Sequence, residues 1–280
     1  MSGPEKGASE ASGAASGAAA GTWADLRPRV LSGGIMVAVG SAAVILGGVW
    51  FQMLVVFVTA IMVWELWTMI MQGAPTRGML LAALVASVMS GQLAFASDWG
   101  LVLFLVVPLA GAALVTRERL TFFGFALGIQ VAGWGLVWFR AEYGFTWILW
   151  MILVVVATDI FGYFAGKTIG GPKFWPRLSP KKTWSGIVAG WIAAAVVGAV
   201  FDRFVVVPNA QIILLSMVLS FASQMGDITE SALKRRMGVK DSSNLIPGHG
   251  GLFDRFDALL GASLFLLALY VLTGRPGAAF

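Results

Sequence analysis

Residues 145–166 read FTWILWMILVVVATDIFGYFAG, twenty-two positions with one charge, Asp159, set toward the far end. At 1.5 Å per residue a helix of that length measures about 33 Å, enough to cross the roughly 30 Å hydrocarbon core of a bilayer. It is apolar all round, so no stripe is left for water, and lipid or neighbouring helices must cover every face.

Outward from this stretch the same pattern recurs. Apolar segments lie at 30–47, 50–71, 78–97, 99–115, 120–140, 185–206, 211–231 and 256–273, which with 145–166 makes nine. The expected fold is all-α: a polytopic integral membrane helical bundle of about nine transmembrane helices, the pair flanking Asp98 being alternatively one re-entrant hairpin. Composition agrees. Of 280 residues 58% are hydrophobic and 12% charged, against about 25% charged in soluble domains, and the mean hydropathy is +0.84. A soluble enzyme is excluded.

Cys is absent and His occurs once, as His249. Thiolate sites, disulfides and multi-histidine zinc or haem sites are therefore excluded, and a metal would be held by oxygen ligands, as Mg²⁺ is. The net charge of +5 reads as loop charge that sets membrane orientation, with no nucleic acid as partner. Alternating the nine segments puts fifteen Lys and Arg residues on one side and three, Arg140, Arg203 and Arg275, on the other. By the positive-inside rule the N-terminus is cytoplasmic. Residues 1–22, rich in Ala, Gly and Ser and without an apolar core, read as a flexible cytoplasmic tail. The chain divides into that tail, N-terminal transmembrane helices over 23–144, and a C-terminal half, 145–280. Two long basic loops in that half, 167–184 and 232–255, face the cytoplasm and are where chemistry is expected.

Acids inside the spans need an explanation, because a carboxylate near the bilayer centre costs about 2.5–3.5 kcal/mol. Asp159, Asp227 and Glu230 lie beside the two basic loops. Glu65 adjoins neither, and a packing role and a functional role stand equal for it. Asp227 and Glu230 are three apart, as are Asp254 and Asp257, so each pair presents two carboxyl groups on one helix face. Metal binding and plain salt bridging to Lys234, Arg235, Arg236 and Arg255 are equally compatible with that spacing. The basic residues interleave with Gly, Pro and Ser in SPKKT and PGHGG, where main-chain N–H groups can close on phosphate oxygens. GYFAGKT, Gly162–Thr168, is not a Walker loop: it has three residues between its glycines, and it ends an apolar helix. Gly162 and Gly166, Gly186 and Gly190, and Gly124 and Gly128 read instead as small-residue helix packing. His249, among glycines in a loop, reads first as a hydrogen-bonded residue.

The stretch SALKRRMGVKDSSNLIPGHGGLFDRFD, Ser231–Asp257, resembles the signature of phosphatidate cytidylyltransferases (CDP-diacylglycerol synthases). Ser231, Lys234, Arg235, Lys240, Asp241, Ser243, Pro247, His249, Gly250, Gly251, Asp254, Arg255 and Asp257 stand where that pattern asks for them. MGDITES (Met225–Ser231), SPKKTWSG (Ser179–Gly186) and DIFGYFAGK (Asp159–Lys167) resemble the family's other recurring segments. The resemblance covers the chain from Asp159 onward. Ser185 departs from it, standing where the family usually carries an acidic or amide residue.

The resemblance implies that CTP and phosphatidic acid give CDP-diacylglycerol and pyrophosphate, with Mg²⁺ required and a second cation an open question, in the bacterial inner (cytoplasmic) membrane. It implies Asp227 and Asp254 as metal ligands, with Glu230 and Asp257 as further ligands. Lys234, Arg235, Lys240 and Arg255 would neutralise phosphates, and His249 with Gly250 and Gly251 would shape the loop. Lys181, Lys182 and Thr183 would grip a phosphate, with Ser231, Asp241 and Asp159 also lining the substrate site. CTP, phosphatidic acid and the lipid bilayer are the expected partners, and monomer and homodimer both stay open. The alternatives are a CTP-dependent polyprenol or lipid kinase and, from another class, a secondary transporter. A purely structural subunit leaves the acids unexplained.

Overall fold

The computed structural model describes residues 28–72, 74–95, 98–204 and 210–274. The N-terminal tail, Arg27 and Arg275 lie outside these residues.

Helix α1 runs over Pro28–Leu46. It is followed by α2 (Gly48–Ile70), α3 (Pro75–Phe95), a 3₁₀ turn (Asp98–Leu105) leading into α4 (Val106–Leu114), and α5 (Arg119–Thr168). A hairpin of β1 (Lys173–Trp175) and β2 (Ser179–Thr183) precedes α6 (Trp184–Phe204), α7 (Gln211–Met237) and α8 (Phe253–Thr273). Seven of these helices are long and apolar enough to cross a membrane. At fifty residues α5 is more than twice the length one crossing needs. It breaks at Gly144, whose φ of 83° and ψ of −171° only glycine adopts freely, in the gap expected between 140 and 145.

The all-α membrane bundle is as expected, with eight α-helices among the described residues in place of nine, because α5 takes in both expected segments 120–140 and 145–166. The expected segment 99–115 also differs, since about half of it is 3₁₀ and its α-helical part is nine residues long. The loop expected over 167–184 contains a short antiparallel hairpin, with Lys173 opposite Thr183 and Trp175 opposite Ser179. Its Lys, Pro and Ser residues carry no alternating apolar pattern, so no strand signal stood in the sequence.

Large apolar side chains such as Leu120, Phe95 and Leu272 point outward, which suits a hydrocarbon surround. With lipid outside, helix association rests on close packing and interhelical hydrogen bonds. Gly162 of α5 and Gly186 of α6 meet backbone to backbone, as expected of small-residue packing. A polar seam runs beside them: Trp150 Nε1 donates to Ser216 Oγ at 3.0 Å, and Thr158 Oγ1 to Ser220 Oγ at 2.8 Å. Such bonds contribute about 0.6 kcal/mol each.

The two ends of the bundle differ. At one, Ser32 of α1 meets the 247–249 turn near the hairpin and the α7–α8 loop. At the other, Arg140 donates to the Val44 carbonyl at 3.3 and 3.4 Å.

Candidate active site

The site begins where α7 crosses α8. A Cβ on Gly226 would strike the Asp257 carbonyl, and one on Gly261 would strike that of Ala222. Two glycines thus let the backbones touch. The carboxyl groups carried one residue and one turn onward are pressed together: oxygens of Asp227, Glu230 and Asp257 all lie within 4.8 Å of one another.

Three like charges at that range repel, and a cation among them or a shared proton relieves the repulsion. Glu230 is 1% exposed, and its Oε1 accepts no hydrogen bond. Two ammonium groups already sit against the cluster, Lys182 Nζ at 2.5 Å from Asp227 Oδ2 and Lys234 Nζ at 2.6 Å from Glu230 Oε2. An all-carboxylate donor set with an unsatisfied buried oxygen fits a hard divalent cation.

Asp254 is not one of the three that lie within 4.8 Å of one another, but it adjoins Glu230 and lines the same cleft as Asp227 and Asp257. Its Oδ1 takes Lys234 Nζ at 2.6 Å, while Oδ2 accepts from Ser242 N, Ser242 Oγ and Gly251 N at 2.9, 3.0 and 2.8 Å. Lys234 therefore bridges Asp254 and Glu230. The turn ahead of Asp254 closes through Ile246 N to Gly250 O at 2.8 Å. Gly250 has φ 83°, and a Cβ there would lie 2.7 Å from Asp254 Oδ2, so the turn needs glycine for its conformation and for space.

Glu65, fully buried in α2, is the residue that sequence reasoning left undecided. Its Oε1 accepts from Ser243 Oγ at 2.6 Å and Leu252 N at 2.9 Å; its Oε2 accepts from Phe253 N at 2.7 Å and Ser242 Oγ at 3.2 Å. It fixes the start of α8, where orphan N–H groups favour an anion, and so positions the helix turn that carries Asp254 and Asp257. The only sign of this in the sequence was a carboxylate inside a span; its partners lie 177 to 188 residues away.

A polar cleft of about 520 Å³ opens from Asp227 and Asp257. Asp159, Lys167, Lys181, Lys182, Thr183 and Asp241 line it, as do Asp227, Lys234, Asp254, Arg255 and Asp257. Thr183 Oγ1 accepts from Gly186 N at 3.3 Å as the cap of α6, and Lys182 also donates to the Gln224 carbonyl at 3.4 Å. Gln224, which sequence reasoning missed, lines the cleft and ties α7 to α6 through Trp191 and Ile187. Ser185 donates to the Gly170 carbonyl at 2.5 Å and shares a 2.9 Å hydrogen bond with Thr183, so here it braces the base of the hairpin.

The remaining predicted residues serve the surroundings. Ser231 Oγ donates to Asp227 Oδ1 at 3.3 Å. Arg235 Nε donates to the Leu178 carbonyl at 2.9 Å, holding the hairpin to α7. Arg255 donates through Nε and Nη2 to the His249 carbonyl at 3.0 and 2.6 Å. His249 turns its ring toward α1, with Nδ1 2.8 Å from Ser32 Oγ. Lys240 is exposed on the loop and absent from the cleft wall. At the loop's edge Arg236 pairs with Glu118 at 2.9 Å. Hydrogen bonds from Thr121 and Arg236 hold the Glu118 carboxyl below its ordinary value.

A model of the cytidylyltransferase family matches residues 27–273, nearly the whole chain. The chain belongs to the cytidylyltransferase family. Among individual relatives it is 44% identical over 135 residues to the phosphatidate cytidylyltransferase of Brucella abortus (strain 9-941), covering 48% of this chain and 50% of that one. The phosphatidate cytidylyltransferase of Bacillus subtilis (strain 168) is 42% identical over 133 residues, 47% of this chain and 49% of the relative. That of Haemophilus influenzae is 36% identical over 190 residues, 62% of this chain and 66% of the relative. The chain thus spans about half the length of the first curated relatives it matches.

Proposed function

We propose that this cytidylyltransferase-family protein transfers the cytidylyl group of CTP to phosphatidic acid, releasing pyrophosphate and forming CDP-diacylglycerol at the cytoplasmic face of the inner membrane. The observation that carries this reading is a carboxylate trio, Asp227, Glu230 and Asp257, of which Asp227 and Asp257 line a cleft together with Lys167, Lys181 and Lys182. That arrangement suits a reaction between two phosphate-bearing molecules. The names of the relatives supply the substrates.

A phosphate oxygen of the lipid attacks the α-phosphorus of CTP, and the bond from that phosphorus to the α–β bridging oxygen breaks. The lipid brings its own nucleophile, so the protein's task is positioning and charge neutralisation. Asp227, Glu230 and Asp257 would hold Mg²⁺, which supplies neutralisation of phosphate oxygens. Lys181, Lys182 and Lys167 meet the triphosphate. Lys234, anchored between Glu230 and Asp254, keeps its ammonium at the trio's edge. Asp254 and Glu65 hold the backbone of the loop, and Arg255 with His249 holds the turn before α8. The clustering of basic residues at the hairpin end, with Arg140 at the other, supports a cytoplasmic N-terminus.

The test is direct. Purified protein given labelled CTP, phosphatidic acid and Mg²⁺ should release pyrophosphate, and EDTA should stop it. Release of CDP with a phosphorylated lipid alcohol would indicate a kinase instead, and counterflow without CTP consumption a transporter.

A further inference from the structure

Between Asp159 and Asp202 the chain carries five cations, Lys167, Lys173, Arg177, Lys181 and Lys182, and no acid. Four lie in the β1–β2 hairpin and Lys167 in the last turn of α5. The cleft uses only part of that charge. Lys167, Lys181 and Lys182 line it, whereas Lys173 and Arg177 are exposed elsewhere on the hairpin. No acid among the described residues forms an ion pair with either of them.

The aromatic residues divide in the same way. Phe174 of β1 meets Trp175 and, at the start of α6, Trp184 edge-on, with ring centroids 6.5 and 4.8 Å apart. The outside of this cluster is open: Trp175 is 46% exposed, Trp184 44% and, just past α5, Ile169 73%. None of the four lines the cleft, so nothing bound there accounts for them.

Where the hairpin lies decides what covers it. α5 ends at Thr168 and α6 begins at Trp184, directly after β2, and both helices are long and apolar enough to cross a membrane. The turn between the strands does not stand away from these helix ends. Arg235, in the last turn of α7, holds the Leu178 carbonyl, and Trp184 N donates to the Pro172 carbonyl at 3.0 Å. The hairpin therefore lies across helix ends, at the depth where hydrocarbon gives way to headgroups. Indole rings, apolar with a polar edge, collect at that depth, and Lys or Arg beside them is drawn to anionic lipid. A second copy of the chain docked face to face would set like charges against one another, so it fits less well.

We propose that this hairpin is a docking surface for anionic lipid headgroups of the adjoining leaflet. Trp175 and Trp184 sit among the headgroups, Lys173 and Arg177 take lipid phosphates, and the contact steadies Lys181 and Lys182 of β2 at the cleft. The consequence for turnover rests on the reaction proposed above; the docking itself does not.

The chain has no Cys, so Pro176→Cys puts a single environment-sensitive fluorophore at the exposed turn between Trp175 and Arg177. In nanodiscs, replacing about a third of the phosphatidylcholine with phosphatidylglycerol should shift its emission to the blue. Salt at about 1 M, where the screening length falls to about 3 Å, should abolish the shift, and soluble glycerol phosphate should not reproduce it. K173A/R177A in the labelled background should lose it. No shift in the labelled parent overturns the proposal, as does a shift that salt leaves intact, that glycerol phosphate reproduces, or that tracks a doubling of oligomeric mass. A second measurement reads the consequence. At fixed phosphatidate content, pyrophosphate release by the unlabelled protein should rise about threefold with phosphatidylglycerol, and K173A/R177A should flatten that rise while keeping its turnover in phosphatidylcholine. A flat parental response, or a rise that the variant keeps, overturns the coupling to Lys181 and Lys182. A blue shift from a protein that releases no pyrophosphate would instead overturn the proposed reaction and leave the docking surface standing.

Discussion

The loop between α7 and α8 and the crossing of those same two helices both depend on buried or half-buried carboxylates, and they use them in opposite ways. In the loop, Glu65 and Asp254 have both oxygens occupied, by serine hydroxyls, backbone N–H groups and, for Asp254, the Lys234 ammonium. At the crossing, Asp227, Glu230 and Asp257 face one another, and Glu230 Oε1 has no donor. The saturated carboxylates hold backbone in place, whereas the crowded and under-satisfied ones could hold a metal ion. Asp254 and Asp257 are three residues apart on one helix and fall into different groups, so residue type and spacing alone do not assign the role.

The largest effect should come from the crossing. Asp257→Asn or Asp227→Asn is expected to lower Mg²⁺-dependent pyrophosphate release at least ~100-fold, the scale of losing a central electrostatic contact, with the melting temperature in detergent close to wild type. Parental turnover in either variant would break the distinction from the metal side.

The loop carboxylates should show the reverse balance. Asp254→Asn removes the charge opposite Lys234 in a site where the Asp254 side chain is 5% exposed, and breaking a buried pair costs about 3–5 kcal/mol. Its signature is a lowered melting temperature together with lost turnover. Glu65→Gln keeps one acceptor oxygen but turns an amide donor toward N–H or O–H donors, at about 1–3 kcal/mol for the unsatisfied group. It should speed proteolysis within 238–252 and lower kcat, while Mg²⁺ affinity changes less than in Asp257→Asn. Equal loss of Mg²⁺ affinity in the two would merge the groups.

The smallest effect is at the rim. Folding lowers the Glu118 carboxyl from its ordinary 4.5, chiefly through Thr121 and then Arg236. A lowered folded value contributes stability that is present above 4.5 and lost as pH falls through the folded value. Arg236→Ala should therefore differ slightly from wild type in thermal stability at pH 7, and that difference should vanish in strong acid.

The passes were legible because apolar length has one explanation in water-free surroundings, and the break at Gly144 was legible because Arg140, Glu142 and Gly144 interrupt the run. The hairpin was hidden because its strands are three and five residues long and carry no apolar alternation. In the site, the acids were visible as charges in the wrong solvent. Which of them meet was not, because that is decided by the Gly226–Gly261 contact between helices whose spacing no local pattern records. Glu65 shows the same limit: its partners sit on a loop nearly 180 positions away. Gly124 and Gly128, expected as a helix-packing pair, show it in reverse: a Cβ at either position would meet no atom within 4 Å, since a packing motif cannot say whether a helix arrives to use it.

The most direct measurement is Mn²⁺ binding, followed by electron paramagnetic resonance, to the purified protein and to the triple variant D227N/E230Q/D257N. Three carboxylates that together hold a cation predict a bound-ion signal in the parent, its loss in the triple variant, and its retention in Ser32→Ala, a change at the far side of the loop. Equal binding stoichiometry and affinity in parent and triple variant would contradict the account.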